Sequence, residues 1–436
     1  MNKKLLLAGL AGILSLATAC KKDDPSPKPT PTPQPGFTIE AKTTDLLQFD
    51  TVRLSAQGAK ADAKFSWVIN GKEVAEGKDY AFTQPRVGRY QVSLVDKASG
   101  EKVSKDFSVT ARFTSGAFLL NEGNFGNETG TLTYIDASKQ FVLDSAYIRV
   151  NGTKLGNVCQ DMTFANGKVY IISQNGPKNG GEGLLTIADA KTLEKHKVIN
   201  DAALAKDWPT HIAVVHSRIY LRGNSGIYRG TEEGSFKLIP GTEKANKLRM
   251  VTIGELVIAT TSTNKLLVIQ DEEVKQAFTL PEGSPSGLAP APDGQLWLSY
   301  SKPNTLAKVS VSASGVKILD KHTTTQSLDK QWTATSAIFA RANQIFFTEQ
   351  SSVIYRHDFS TGETKEIVDV QKVDKQAKIY YNSLGIDPKT GHIYYASFGD
   401  YSTYKQNVTL VLDHDGKVLL RREHVNAFPA GFYFIP

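Results

Sequence analysis

The chain has 436 residues, of which 40% are hydrophobic and 22% charged, so it can bury sizeable cores and divides into two or three domains. Lys and Arg number 51 against 44 Asp and Glu, a formal net charge of +7 without any Lys/Arg block, which sets nucleic-acid binding aside. Two cysteines exclude a disulfide scaffold and any cysteine-rich metal or iron–sulfur site.

At the N-terminus, Lys3 and Lys4 precede an apolar run from Leu5 to Ala19. The run is too short for a membrane span, which needs about 20 residues, and it suits a signal peptide over residues 1–19. Ala17, Thr18 and Ala19 lead into Cys20. This resembles a bacterial lipobox, although Ala17 stands where that pattern prefers leucine. The resemblance implies lipidation at Cys20, with acyl chains as the membrane anchor; ordinary secretion is the alternative. Cys20-Lys21-Lys22-Asp23-Asp24 resembles the export signal of Bacteroidota lipoproteins, which implies a surface-exposed position on the outer membrane. In residues 20–36 six prolines alternate from Pro25 to Pro35. They favour an extended polyproline II stalk of roughly 35 Å.

Residues 37–112 read as a small β-sandwich. Phe65, Trp67 and Ile69 alternate with polar or smaller neighbours, as do Tyr90, Val92 and Leu94, and Asn70-Gly71 is a hairpin signal. About seven short strands are expected. The text around Trp67, Tyr80, Gly88 and Tyr90 resembles PKD-type immunoglobulin-like domains, which implies a spacer.

Residues 113–436 repeat one phrase, an apolar stretch, a short polar turn and a strand such as Gly167–Ser173. It recurs from Asp161, His211, Leu248, Ser286, Ser336 and Leu384, at intervals of 37 to 50 residues. Such periods with four short strands each indicate propeller blades. Six blades are complete, and the two ends supply a seventh if Ala430–Ile435 pairs beside Ala117–Asn121, which removes two exposed sheet edges. The fold class is therefore all-β, a seven-bladed propeller preceded by an immunoglobulin-like sandwich.

No Gly-x-Ser-x-Gly elbow, His-Glu-x-x-His helix or phosphate loop occurs, so no catalytic residue is assigned. Asp413-His414-Asp415-Gly416 mimics part of a calcium loop but lacks the later ligands and suits a hairpin turn; no metal is assigned. Cys159 is expected as a small buried residue. The glycine-rich stretch at Gly176–Gly183 lies between strands, with no helix N-terminus to hold an anion. One face of the propeller, however, should collect long loops rich in aromatic and amide groups, while the opposite face carries tight turns. Those loops present Asn124, Phe125, Gln174, Asn175, Trp208, Tyr300, Trp332, Tyr381, Phe398 and Tyr401. Aromatic planes with amide donors on a concave face suit a large, flat, partly polar ligand.

The stretches GAFLLNEGNFGNETGTLTYID and VNGTKLGNVCQDMTFANGKVYII, with YYNSLGIDPKTGHIYYASFGDY and the closing AFPAGFYF, resemble surface propeller lipoproteins of Bacteroidota, a family that includes the BtuG-like proteins. The resemblance implies capture of a corrinoid, cobalamin or cobinamide, and its delivery to a TonB-dependent outer-membrane transporter, with no resident cofactor. Other readings are capture of a different nutrient, a surface scaffold or adhesion protein binding a protein or glycan, and an enzyme. The last would require acidic, basic and hydroxyl side chains converging on the channel, where the inner-strand starts offer Asp161, His211 and Arg249.

Overall fold

A computed structural model of the protein describes residues 36–330, 335–349, 351–380, 382–425 and 428–436. Cys20 and the segments before and after it lie outside the described residues, as do Trp332 and Tyr381.

Alternation over the first strands builds two sheets. One joins Thr38–Ala41, Thr51–Gln57 and Asp79–Thr83; the other joins Asp45–Leu47, Lys102–Thr110, Gly88–Asp96, Phe65–Ile69 and Lys72–Glu76. Their inner faces meet in a core of Leu54, Trp67, Phe82, Val92, Leu94 and Phe107, all buried. The buried Trp67 indole donates to the Gly77 carbonyl at 3.0 Å. Asn70 and Gly71 both adopt positive φ, 47° and 86°, the geometry of a two-residue hairpin turn whose twist matches the strands.

Seven four-stranded antiparallel sheets follow. Blade 1 is composite: the chain's last strand, Pro429–Phe434, pairs with Ala117–Asn121, which continues through Thr131–Asp136 to Phe141–Leu143. Blades 2 to 7 begin with inner strands Asn157–Ala165, His211–Val215, Val251–Ile253, Ser284–Ala291, Phe339–Arg341 and Leu384–Ile386. Each blade is an open sheet, joined to its neighbours by side-chain packing. Inner strands succeed one another around an axis, and Pro429–Phe434 neighbours both Leu384–Ile386 and Asn157–Ala165. Both faces of a middle strand are covered by adjacent blades, so runs such as Leu256–Thr260 are buried throughout. Such strands read as continuous apolar runs rather than alternations. Outer strands such as Glu273–Thr279 alternate, with one face wet.

The sandwich packs directly on blades 1 and 2. Phe113 meets Phe49 and Phe118. Gln48 donates to the Thr192 carbonyl at 3.0 Å and Arg86 to that of Val150 at 3.2 Å. Buried Arg112 pairs with Asp50 and lies 4.2 Å from the Phe141 ring centroid. The turn at Asp413 is an Asx turn, its carboxylate accepting from the Asp415 and Lys417 amides at 3.0 and 2.9 Å.

Candidate functional site

Every inner strand starts at the same end of the channel, here called the upper end, where each blade's second-to-third-strand loop also lies. A cavity of about 720 Å³ opens there, bordered by blades 7, 1, 2 and 3 and by the approach to blade 4. Its rim carries Phe125, Trp208 and Tyr401, which are 52%, 49% and 62% exposed. No other Phe, Trp or Tyr side chain of the described residues is so exposed. Isolated surface apolars need no explanation, whereas three large rings around one hollow do.

Local structure explains how each ring is presented. Asn124 accepts from the Gly126 amide at 2.8 Å, folding the Phe125 loop back on itself. Asn157 donates to the Asn124 carbonyl, and Asn175 donates to the Asn157 side chain at 2.7 Å. Phe125 carries Lys178 over its ring at 3.8 Å. Trp208 follows a short helix, Ala202–Lys206, capped by Asp201, whose carboxylate accepts from the Ala203 and Leu204 amides. Pro209 prevents the helix from continuing, and Trp208 takes a left-handed conformation, φ 53°. Val158, also in the cavity wall, sits at φ 56° on a bulge between Asn157 and Cys159. A β-branched or bulky residue there stores about 1–3 kcal/mol of strain, a feature that clusters at binding sites. Tyr401 meets Phe398 edge-on at 5.7 Å, and Phe428 packs on both.

Below the rim lie Glu122, Gln160, Gln174, Thr210, Arg222, Asn224 and Lys247. Burial pushes the Glu122 carboxyl up to about 7, against the pull of Lys247 and the Gln160 amide. Burial also depresses Lys247 and Arg222, and burial with Lys247 and Arg222 nearby brings Lys330 down to about 8. Buried His211 is held neutral by burial and by the cations Lys247, Arg222, Arg249 and Lys330 around it. Its Nδ1 lies 2.9 Å from the Thr210 hydroxyl.

Further down the channel, Asp161 accepts from Arg249 at 3.2 Å, from the Tyr433 hydroxyl at 2.6 Å and from the Ile212 amide at 3.2 Å. Arg249 stacks on the Tyr433 ring at 4.5 Å. This group ties blades 1, 2, 3 and 4 together. Lys247 borders the upper cavity, whereas Arg249 borders a lower, mostly apolar hollow of about 590 Å³ lined by Leu288, Pro290, Phe339, Phe432 and Phe434.

Of the sequence-derived residues, Phe125, Gln174, Trp208 and Tyr401 border the cavity. Asn124 and Asn175 hold its loops. Phe398 is buried beneath Tyr401 and acts as its support. Tyr300 requires correction: it belongs to strand Gln295–Ser301 and is fully buried in the core between blades 4 and 5. The strand runs two residues beyond the expected loop start, leaving only a short connection. Asp161 and His211 are buried in the channel's packing; Asp161 is held by Arg249 and Tyr433, and neither residue borders the upper cavity. Sequence reading missed Glu122, Gln160, Arg222, Lys247 and Phe428. Only the position of Arg222, a charge at the upper end of strand Arg218–Arg222, next to the apolar Ile219–Leu221, hinted at this role.

Residues 115–435 match the family of domains of unknown function designated DUF5074, and the chain belongs to it. Residues 27–105 match the penicillin-binding protein C-terminus family. No curated protein matches the chain. Among solved structures, a quinonprotein alcohol dehydrogenase-like protein from Bacteroides thetaiotaomicron is 16% identical, with a TM-score of 0.61 over 92% of this chain and 99% of that one. BamB from Moraxella catarrhalis is 12% identical, with a TM-score of 0.40 over 73% and 85%. A structural genomics protein of unknown function from Bacteroides thetaiotaomicron is 11% identical, with a TM-score of 0.35 over 91% and 99%. The first likeness is one of fold, a β-propeller of a kind present in Bacteroides.

Proposed function

We propose that this protein is a surface lipoprotein that captures a large, flat, partly polar small molecule in its upper cavity. A corrinoid, cobalamin or cobinamide, is the expected ligand, passed on to a TonB-dependent outer-membrane transporter. The observation that carries the reading is the convergence of Phe125, Trp208 and Tyr401 on one hollow floored by amide and charged groups. Rings of this kind bury large area at small entropic cost, and the polar floor fixes orientation. Among the described residues, none of the sandwich lines the cavity, which suits a spacer that leaves the mouth open. The mechanism is affinity and transfer, without bond chemistry.

Titration calorimetry of the purified protein with cyanocobalamin and with cobinamide tests this reading. One-to-one binding is expected. Replacing Trp208 by Ala should weaken it by about 2 kcal/mol, roughly thirtyfold, as for a buried aromatic anchor. No heat and no melting shift at tens of micromolar ligand would sink the corrinoid reading.

A further inference from the structure

The charged groups of the upper cavity are unevenly balanced. Arg222 and Lys247 line it with a single acid, Glu122, which acts on Lys247; Arg222 depresses Lys247, and both depress Lys330 nearby. Arg222 is positioned by neutral oxygens. Its Nε and Nη2 donate to the Ala245 carbonyl at 3.1 and 3.0 Å, and its Nη1 reaches the Thr210 hydroxyl and the Asn224 amide oxygen at 3.4 Å. Among the described residues none of its hydrogen bonds goes to a carboxylate. Asp207, the acid whose field it feels, directs its oxygens to the Ser225 amide and hydroxyl at 2.6 to 3.0 Å. A guanidinium held by carbonyl and hydroxyl oxygens in a concave site keeps its charge for an incoming anion, which it can bind with fixed geometry. Its position below the aromatic rim places charge and rings within one hollow.

We infer that the cavity recognises an anionic group, a phosphate ester or carboxylate, on a ligand whose flat face packs against Phe125, Trp208 and Tyr401. Arg222 is the principal contact, with Lys247 adding charge beside it. The inference rests on the reading of the upper cavity as the binding site, and it extends that reading by making the ligand's charge the basis of selection.

The test compares riboflavin with flavin mononucleotide, which share one flat ring system and differ by a phosphomonoester. Binding to the full chain is followed by quenching of flavin fluorescence. Flavin mononucleotide should bind at least tenfold more tightly, the size of one charge-assisted contact. Arg222→Gln retains a donor for the Ala245 carbonyl and should bring the ratio near one. Lys237→Gln, at an exposed outer-strand position of the same blade, removes one charge away from the cavity and should leave the ratio intact. Trp208→Ala should weaken both flavins alike. Equal affinity for the two flavins, or a ratio that survives Arg222→Gln, overturns the inference. So does failure of both flavins to bind together with failure of pyrophosphate to raise the melting temperature. Selective binding of the phosphate ester without any corrinoid binding would instead sink the corrinoid reading alone.

Discussion

Replacing Asp161 by Ala distinguishes a structural from a chemical role for the channel acid. The carboxylate accepts three hydrogen bonds, from Arg249, Tyr433 and the Ile212 amide. Removing it strands a cation that is 22% exposed and two buried donors. Breaking a buried pair by removing one partner costs about 3–5 kcal/mol, and the residual exposure of Arg249 favours the lower part of that range. At about 2.1 cal/mol/K per residue, the roughly 320 residues of the propeller give a melting entropy near 0.7 kcal/mol/K, so a loss of about 4 kcal/mol lowers Tm by about 6 °C. Asp161→Asn keeps an oxygen acceptor and should lose about half as much. Burial raises the Asp161 carboxyl despite Arg249, Tyr433 and the backbone donors. A raised carboxyl contributes stability that is complete below its unfolded pKa and lost as pH rises through the folded value. At neutral pH the pair therefore serves geometry more than net stability. The double variant Asp161→Leu with Arg249→Met should regain most of the Tm lost by Asp161→Ala, since an apolar replacement of a buried pair is often neutral. Calorimetric melts and ligand titrations on the same samples decide the matter. A Tm within 1 °C of the parent for Asp161→Ala (a shift far smaller than about 6 °C) would refute the reasoning. Lost binding in a fully stable variant would assign Asp161 to the ligand.

Three further outcomes are expected. Tyr401→Ala should weaken ligand binding while moving Tm by less than about 2 °C, because the ring is largely exposed; a larger shift in scanning calorimetry would make it a core residue. Acidification from pH 8.5 to 7 should strengthen binding of flavin mononucleotide relative to riboflavin, because Lys330 gains its proton near 8 and Glu122 begins to lose its charge near 7, while the phosphomonoester, with a second pKa of about 6, stays mostly doubly charged. Lys247, Arg222, Gln160 and neutral His211 complete that environment, and a flat profile, or one that survives Glu122→Gln unchanged, counts against it. Arg112→Ala removes the Asp50 ion pair and the contact with Phe141 at the sandwich–propeller junction. It should split the melt into two transitions, whereas a single unshifted transition would show that Gln48 and Phe49 suffice.

The repeat was legible because blades impose one pattern on the sequence. Each inner pair of strands is buried on both faces, so apolar runs recur at the blade spacing, and tight turns punctuate them. Rim aromatics were legible where they stand among polar loop residues, as Trp208 does between Asp207 and Pro209. Tyr300 and Phe398 failed this test for one shared reason. Each lies at or near the end of a strand, in Gln295–Ser301 and Ile393–Phe398, where an aromatic ring can turn into the space between blades. The charged floor was not legible. Glu122, Arg222 and Lys247 are separated by 25 to 125 positions and become neighbours only through the circular order of blades 1, 3 and 4.

The asymmetry between the two ends of the channel follows from how each connection satisfies its backbone. Lower turns are short and closed on themselves: Asn166 and Gly167 take φ of 53° and 72°, and Asp293 and Gly294 take 62° and 67°. Two consecutive left-handed residues complete a hairpin with no room for added side chains. Upper loops instead complete their hydrogen bonds between blades, as Asn157 does with the Asn124 and Glu128 carbonyls and Lys405 with Glu128 at 2.5 Å. Such loops can lengthen and hold strained residues, because neighbouring blades rather than the loop itself fix their shape. A ligand site needs that freedom to place rings over a charged floor. The lower hollow lacks it, since its walls are the ends of inner strands whose positions are set by the packing of the ring. On the proposed reading, binding selectivity is concentrated at the upper end, and variants there should alter ligand choice without altering the fold.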